Sequence, residues 1–418
     1  MTQDLRTVKL NDKDAPQITD LTLSTNNKIL TVVMSEKVFS SNDGTGLIDS
    51  TAFALTINDG TAQLLSQYPS SVKYTDSTST FELGLPLKLV ADGTETLTIG
   101  FTSNGMYDAS GTAAAQTQKI NSVKLFDLSA PIITESKLDS DNSKVMVRFS
   151  VPVYADAKSS LTLEADDFKL ALVGGTATLK NTTPSSIDSS ENGKRYKLGL
   201  DIIGVPDGRE VLTINPVDNN IYDDAANPAN KVQDNNSMNL FDKQPPTITG
   251  VKLSSANDTL FVTLSEAAYA KDTGSGTLTT NDFTLSIANG LSKLTNPNPS
   301  TLTNLSGNVY ALTFGISGTP DGREELSVTP NSNSIFDAAG NIAATKQSNN
   351  SVFLNDQKAP TAPQGLVAIP GNTQATISWR ASGETDISKY YIYGGTAVDP
   401  TTVMDSVNFG SNTKIITC

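Results

Sequence analysis

The stretch Phe126-Asp127-Leu128-Ser129-Ala130-Pro131 decides the fold, because the chain repeats its pattern of an Asp four residues before a Pro. The other copies are Asn11-Asp12-Lys13-Asp14-Ala15-Pro16, Phe241-Asp242-Lys243-Gln244-Pro245-Pro246 and Asn355-Asp356-Gln357-Lys358-Ala359-Pro360. The four Asp residues are 115, 115 and 114 positions apart. Self-similarity at a fixed period indicates a tandem array of like-built domains.

The composition argues against several classes of function. The 418 residues include 44 acidic and 30 basic side chains, for a net charge of −14. Such a chain repels phosphate backbones, so we expect no nucleic-acid partner. The sequence contains no His and a single Cys, Cys418, and therefore lacks the commonest general base and any internal disulfide. We expect no enzymatic activity, no required cofactor and no membrane span.

Three repeats follow from the spacing, over residues 14–128, 129–243 and 244–357. Apolar and polar residues alternate in register within each repeat, which is the pattern of strands with one buried face. Turns rich in Gly, Asn and Asp separate six or seven short strands per repeat. The pattern predicts an all-β fold of tandem immunoglobulin-like β-sandwiches in an extended array. In the first repeat the inward-facing residues are predicted to be Leu30, Val32, Met34, Phe81, Leu83, Leu85, Leu97 and Ile99, with counterparts in the other two.

The junctions between repeats are short. The last strands are predicted to end at Leu125, Leu240 and Leu354, and Pro fixes φ at one of the few residues that follow each end. Residues 1–13 match the last strand of a repeat, since Val8-Lys9-Leu10 corresponds to Val123-Lys124-Leu125. We therefore expect them to close a preceding repeat.

Residues 358–418 follow a different pattern. Ala375-Thr376-Ile377-Ser378-Trp379 and Tyr390-Tyr391-Ile392-Tyr393 resemble the first half of a fibronectin type III domain. The resemblance implies that Trp379 packs against the Tyr-rich strand in the core, whereas an exposed Trp379 would offer a platform for sugar rings. A partial domain of this kind would leave an unpaired strand edge.

The three repeats resemble bacterial immunoglobulin-like surface repeats. The resemblance rests on Phe149-Ser150-Val151-Pro152-Val153 after the second strand and on the closing turn Phe336-Asp337-Ala338-Ala339-Gly340-Asn341. It implies an extracellular or cell-surface location in a bacterium. It also implies surface glycans or other cell-surface proteins as candidate partners.

Acidic residues near the junctions are candidate Ca²⁺ ligands, because clustered carboxylates supply the oxygens that this cation prefers. The closing-turn residues Asp108, Asp223 and Asp337 each precede a junction Asp by 19 positions, which in a sandwich places a turn and the end of the last strand in the same repeat. The candidate metal ligands are therefore Asp108, Asp127, Asp223, Asp242, Asp337 and Asp356. The alternative is that each Asp only caps a turn.

Other acidic positions are predicted to be structural. The Asp-Gly strings Asp207-Gly208-Arg209-Glu210 and Asp321-Gly322-Arg323-Glu324, with Asp92-Gly93-Thr94-Glu95 in the first repeat, could supply paired carboxylates for glycoside hydrolysis. A sequence repeated at fixed phase, however, favours a turn. Glu36 and Glu266 could be metal ligands or general acids, but Val151 takes the same place in the second repeat, which favours a surface position.

The sequence thus favours a non-enzymatic stalk or adhesive region of a larger bacterial surface or secreted protein. Two alternatives stay open at this point. The chain could be the accessory, non-catalytic region of a secreted carbohydrate-active enzyme, or its loops could bind glycan or protein directly.

Overall fold

A computed structural model of the chain describes residues 12–75, 79–384 and 387–417. The strand predicted over residues 1–13 lies almost wholly outside the described residues. The chain divides into two compact units, Met1–Lys243 and Gln244–Cys418. We describe each unit by itself.

The first unit begins with a two-sheet sandwich. Strands β1 to β9 span Ile18–Leu23, Ile29–Met34, Phe53–Asn58, Gln63–Leu64, Ser71–Tyr74, Thr80–Gly84, Leu87–Lys88, Thr96–Phe101 and Ser122–Lys124. One antiparallel sheet has the order β1-β2-β6-β5 and the other β3-β8-β9, while β4 and β7 form a small third pair. A one-turn 3₁₀ helix, Ser50–Ala52, leads into β3.

The predicted alternation builds the core of this sandwich. Leu30 and Val32 of β2 are fully buried, whereas Thr31 between them is partly exposed. The ring of Phe53 from one sheet meets that of Phe81 from the other at 5.7 Å between centroids, edge to face. The predicted inward residues form one buried cluster together with Leu125.

The second repeat of the first unit has the same topology. Strands β10 to β18 span Ile133–Leu138, Lys144–Phe149, Phe168–Val173, Thr178–Leu179, Ile187–Ser190, Arg195–Gly199, Ile202–Ile203, Val211–Pro216 and Ser237–Asn239. The sheets are β10-β11-β15-β14, β12-β17-β18 and β13-β16. The 3₁₀ helices Ala165–Asp167 and Glu191–Gly193 precede β12 and β15. A second, separate cluster from Ile133 to Leu240 forms its core.

The second unit opens with a third such sandwich. Strands β19 to β27 span Ile248–Leu253, Thr259–Leu264, Phe283–Ala288, Lys293–Leu294, Thr301–Ser306, Val309–Thr313, Ile316–Ser317, Glu325–Pro330 and Ser351–Phe353. Their sheets are β19-β20-β24-β23, β21-β26-β27 and β22-β25, and the 3₁₀ helix Thr280–Asp282 precedes β21. The core runs from Ile248 to Leu354.

Five further strands complete the second unit. Strands β28 to β32 span Gln364–Pro370, Gln374–Arg380, Lys389–Tyr393, Val403–Asn408 and Thr413–Thr417, in the sheets β28-β29-β32 and β30-β31. Trp379 on β29 is 6% exposed, and its ring packs edge-on against Tyr390 at 5.2 Å. The core position predicted for Trp379 is confirmed. All seven residues of β28 are exposed.

The predicted all-β class of tandem sandwiches is confirmed. The strand number is higher than predicted: each repeat has nine described strands, because a two-strand pair adds to the two main sheets. The domain limits at residues 14, 129, 244 and 358 stay a prediction. Among the described residues, no helix reaches the length and apolarity that crossing a membrane requires.

Candidate functional site

The glutamates of the repeated Asp-Gly strings are buried, and their carboxylates accept hydrogen bonds from the backbone of nearby turns. Glu95, Glu210 and Glu324 are fully buried. One carboxylate oxygen of Glu210 accepts hydrogen bonds from the backbone N–H groups of Thr176 at 2.8 Å and Ala177 at 2.9 Å. Burial opposes ionisation, but these N–H groups and that of Asp207 hold the pKa of Glu210 below its ordinary value.

The aspartates of the same strings also have structural partners. Arg209 donates to Asp207, and Arg323 donates to Asp321. The hydrogen bond from Arg323 lowers the pKa of Asp321 to about 2. These contacts support the turn interpretation of the Asp-Gly strings, and the carboxylates are already engaged in it.

In each of the three repeats, a buried Asn binds the backbone of the segment that follows the last strand. Asn27 has a left-handed backbone, and its amide nitrogen donates to the carbonyl oxygen of Phe126 at 2.7 Å while its oxygen accepts the Phe126 N–H at 2.9 Å. Asn142 holds Phe241 and Asn257 holds Asn355 in the same way. The sequence prediction missed these residues, although an Asn at the same phase of all three repeats was visible.

One oxygen of each closing-turn Asp caps its turn. Oδ1 of Asp108 accepts hydrogen bonds from the N–H groups of Ser110 at 2.8 Å and Thr112 at 2.7 Å. Asp223 and Asp337 make the equivalent pairs of bonds. The capping interpretation therefore accounts for Oδ1 in all three repeats.

The second oxygen differs between repeats. Oδ2 of Asp223 accepts from the side-chain amide of Asn227 at 3.0 Å, and Oδ2 of Asp337 accepts from Asn341 at 2.7 Å. Thr112 replaces that Asn in the first repeat. Oδ2 of Asp108 is buried and has no hydrogen-bond partner among the described residues.

The first repeat brings the carboxylate of Asp108 together with two others. Asp12, Glu36 and Asp108 each place a carboxylate oxygen so that all three atoms lie within 4.8 Å of one another. Asp12 precedes β1, Glu36 follows β2, and Asp108 lies between β8 and β9. Burial raises the pKa of Glu36, and the charges of Asp108, Asp12 and Asp14 raise it further.

The structure brings together candidates that the spacing did not pair. Asp108 lies beside Asp12 at the start of its own repeat, because the closing turn returns to the beginning of the same sandwich. Glu36, for which a surface position was favoured, is partly exposed and lies beside these two aspartates.

Asp127 lies between the first two repeats. Its Oδ1 accepts the N–H of Ser129 at 2.8 Å, and its carbonyl oxygen accepts the amide of Asn227 at 3.2 Å. Burial raises the pKa of Asp127, the Ser129 N–H lowers it, and the charges of Asp223 and Asp224 raise it. The second repeat thus has the same arrangement as the first. Its closing-turn residue Asp223 lies near Asp127, the junction Asp that precedes the second repeat.

The remaining candidates lie at later turns. Asp242 stands against the turn at Gly208, which belongs to the same unit. Asp356 lines a cleft with Asp321, Arg323, Lys358 and Glu384. Within the second unit, Asp337 and Glu266 bring carboxylate oxygens within 4.8 Å of each other. The Ca²⁺ role of the six predicted aspartates stays a prediction.

No protein-family model matches the sequence, and no curated protein matches it. Solved structures with a detectable likeness include chicken CNTN1 FN1–FN3 domains, at 12% identity and a TM-score of 0.25, covering 69% of this chain and 88% of that one. Domains 1–6 of surface layer protein SbsC match at 11% identity and a TM-score of 0.20, covering 94% and 63%. The human Desmocollin-1 ectodomain matches at 10% identity and a TM-score of 0.26, covering 88% and 66%. TM-scores this low carry no argument about function.

Proposed function

We propose that this chain is a non-enzymatic spacer, the stalk region of a larger extracellular bacterial surface or secreted protein. Its role is to hold other modules at a set distance. Calcium at the start of the first repeat would add to its stiffness. The observation that carries the proposal is the junction between the first two repeats.

Both repeats form hydrogen bonds to that junction. On the first repeat, Asn27 binds both backbone polar groups of Phe126, and the N–H of Leu128 donates to the carbonyl of Ala91 at 3.0 Å. On the second repeat, Asn227 donates to the carbonyl of Asp127 at 3.2 Å. Hydrogen bonds to both neighbours remove the backbone freedom that a linker needs in order to bend.

A distance measurement within the first unit tests the spacer role. Spin labels would be placed at Lys88→Cys and Lys169→Cys, two exposed strand residues, in a full chain that also carries Cys418→Ser. Pulsed electron paramagnetic resonance should give a narrow distribution of distances between the two labels. A narrow distribution is expected because the hydrogen-bonded junction allows the first two sandwiches few orientations relative to each other.

The control inserts Gly-Ser-Gly-Ser between Leu128 and Ser129. This insertion should broaden the distribution, because a Gly/Ser linker behaves as a flexible coil. If the native chain gives a distribution as broad as the insertion variant, the junction is a hinge and the spacer role is wrong.

A further inference from the structure

We propose that Asp12, Glu36 and Asp108 together hold a hard divalent cation of the Ca²⁺ class at the start of the first repeat. The equivalent place in the second repeat is closed to a cation by two residue changes. This inference does not depend on the spacer role.

The geometry of the first repeat supplies the ligands. Three carboxylate oxygens converge within 4.8 Å, a separation that a single cation can bridge. The strongest evidence for a cation is Oδ2 of Asp108. Asp108 is fully buried, and this oxygen has no hydrogen-bond partner among the described residues. A buried, unpartnered carboxylate oxygen is costly unless a positive charge or a donor satisfies it.

The second repeat shows how the chain satisfies the same oxygen without a cation. The amide of Asn227 lies between two acceptors, Oδ2 of Asp223 at 3.0 Å and the carbonyl of Asp127 at 3.2 Å. Val151 stands where the first repeat has Glu36, so that position contributes no third carboxylate. The hydroxyl of Thr112, in the place of Asn227, instead donates to the carbonyl of Asp12 at 3.4 Å.

The chemistry of the ligands selects the class of ion. Carboxylate oxygens suit hard cations, and Ca²⁺ takes six to eight oxygens in a flexible geometry, so water would complete the shell. Asp14 and Lys119 line a cleft with Asp12 and Glu36, and the opposite charges of Asp14 and Lys119 offset each other. Three negative charges this close repel one another, and a bound cation relieves that repulsion.

The site joins segments that are distant in sequence. Asp12 belongs to the segment before β1, which we call the entry segment, whereas Glu36 and Asp108 belong to the body of the first sandwich. A bound cation would therefore fasten the entry segment to the sandwich. In the second repeat, the amide of Asn227 makes the corresponding connection to Asp127.

The test is calorimetric titration of the full chain with CaCl₂ after chelator treatment. Thr112→Asn supplies the amide of the other two repeats and should occupy Oδ2 of Asp108, while Glu36→Val copies the second repeat. Each variant should lose one Ca²⁺ site per chain or weaken that site by about tenfold or more. Because both residues occur naturally at these positions of the fold, the variants should stay folded, which circular dichroism checks.

Two further variants make the outcome decisive. Asp59→Asn removes an exposed carboxylate outside the cluster, at a left-handed position that Asn tolerates, and should bind as wild type does. The double variant Val151→Glu with Asn227→Thr should add one site. The proposal is overturned if wild type binds no Ca²⁺, if Thr112→Asn and Glu36→Val both bind as wild type does, or if Asp59→Asn loses as much binding as they do.

Discussion

At the scale of single residues, the turn around Gly175 and Glu210 shows how tightly a buried carboxylate constrains its neighbours. Gly175 has φ +56°, and a Cβ atom there would lie 2.2 Å from Cδ of Glu210. Gly175→Ala should therefore lower the stability of the second repeat by about 1–3 kcal/mol, since strain and overlap act together. Scanning calorimetry of the full chain would show the corresponding transition at a lower temperature.

Gly307 provides the matched control for this substitution. It also has positive φ, at +51°, but no atom lies within 4 Å of its would-be Cβ. Gly307→Ala should cost only the left-handed backbone penalty of about 1 kcal/mol. Equal losses for the two variants would mean that the overlap with Glu210 contributes nothing.

The same glutamate predicts a pH dependence. Backbone N–H groups keep the pKa of Glu210 below its ordinary value of 4.5 despite burial. Its folded pKa is lower than its unfolded one, so its stabilisation is present above about pH 4.5 and is lost as the pH falls through the folded value. Glu210→Gln should make the melting temperature of the second repeat lower at pH 7 and less dependent on pH between 5 and 3.

Glu135→Gln is the control for the pH profile, because Glu135 is exposed on β10. Its melting curves should keep the wild-type dependence on pH. A Glu210→Gln profile parallel to that of wild type would show that the backbone N–H groups do not stabilise the ionised carboxylate.

At the scale of elements, the strands were predictable and the contacts between turns were not. Alternation places Leu30 and Val32 inside because successive strand residues point to opposite faces, a rule that needs no tertiary information. The partner of Asp108 depends on where the closing turn returns in the sandwich, and the 19-residue spacing could not give that. Thr112 stands out only when the three repeats are aligned, and its effect on Oδ2 of Asp108 needs side-chain positions.

The segment that follows the last strand of the second repeat is held by one Asn. Asn142 is 3% exposed, and it both donates to the carbonyl and accepts the N–H of Phe241. Asn142→Gly keeps the left-handed backbone accessible but removes both bonds, so the Phe241 amide should exchange with solvent about tenfold faster or more. Hydrogen-exchange NMR measures this rate.

The Leu240 amide serves as the internal reference in that experiment. It donates to the backbone carbonyl of Glu210 at 3.0 Å and not to Asn142, so it should exchange more nearly as in wild type. If Phe241 exchanges at its wild-type rate in Asn142→Gly, this segment is held by other contacts. Asn142→Ala should be less stable than Asn142→Gly, because Ala disfavours positive φ.

At the scale of the whole molecule, the three large cores are separate buried clusters that end at Leu125, Leu240 and Leu354. Leu198 is fully buried in the second of them. Leu198→Ala should destabilise that repeat by about 2–5 kcal/mol, because it loses apolar contacts and leaves a cavity. Calorimetry should then show one transition whose melting temperature is lowered by about 4–8 °C for each kcal/mol of unfolding free energy lost. The other transitions should stay in place, and a common shift of all of them would mean that the repeats unfold as one cooperative body.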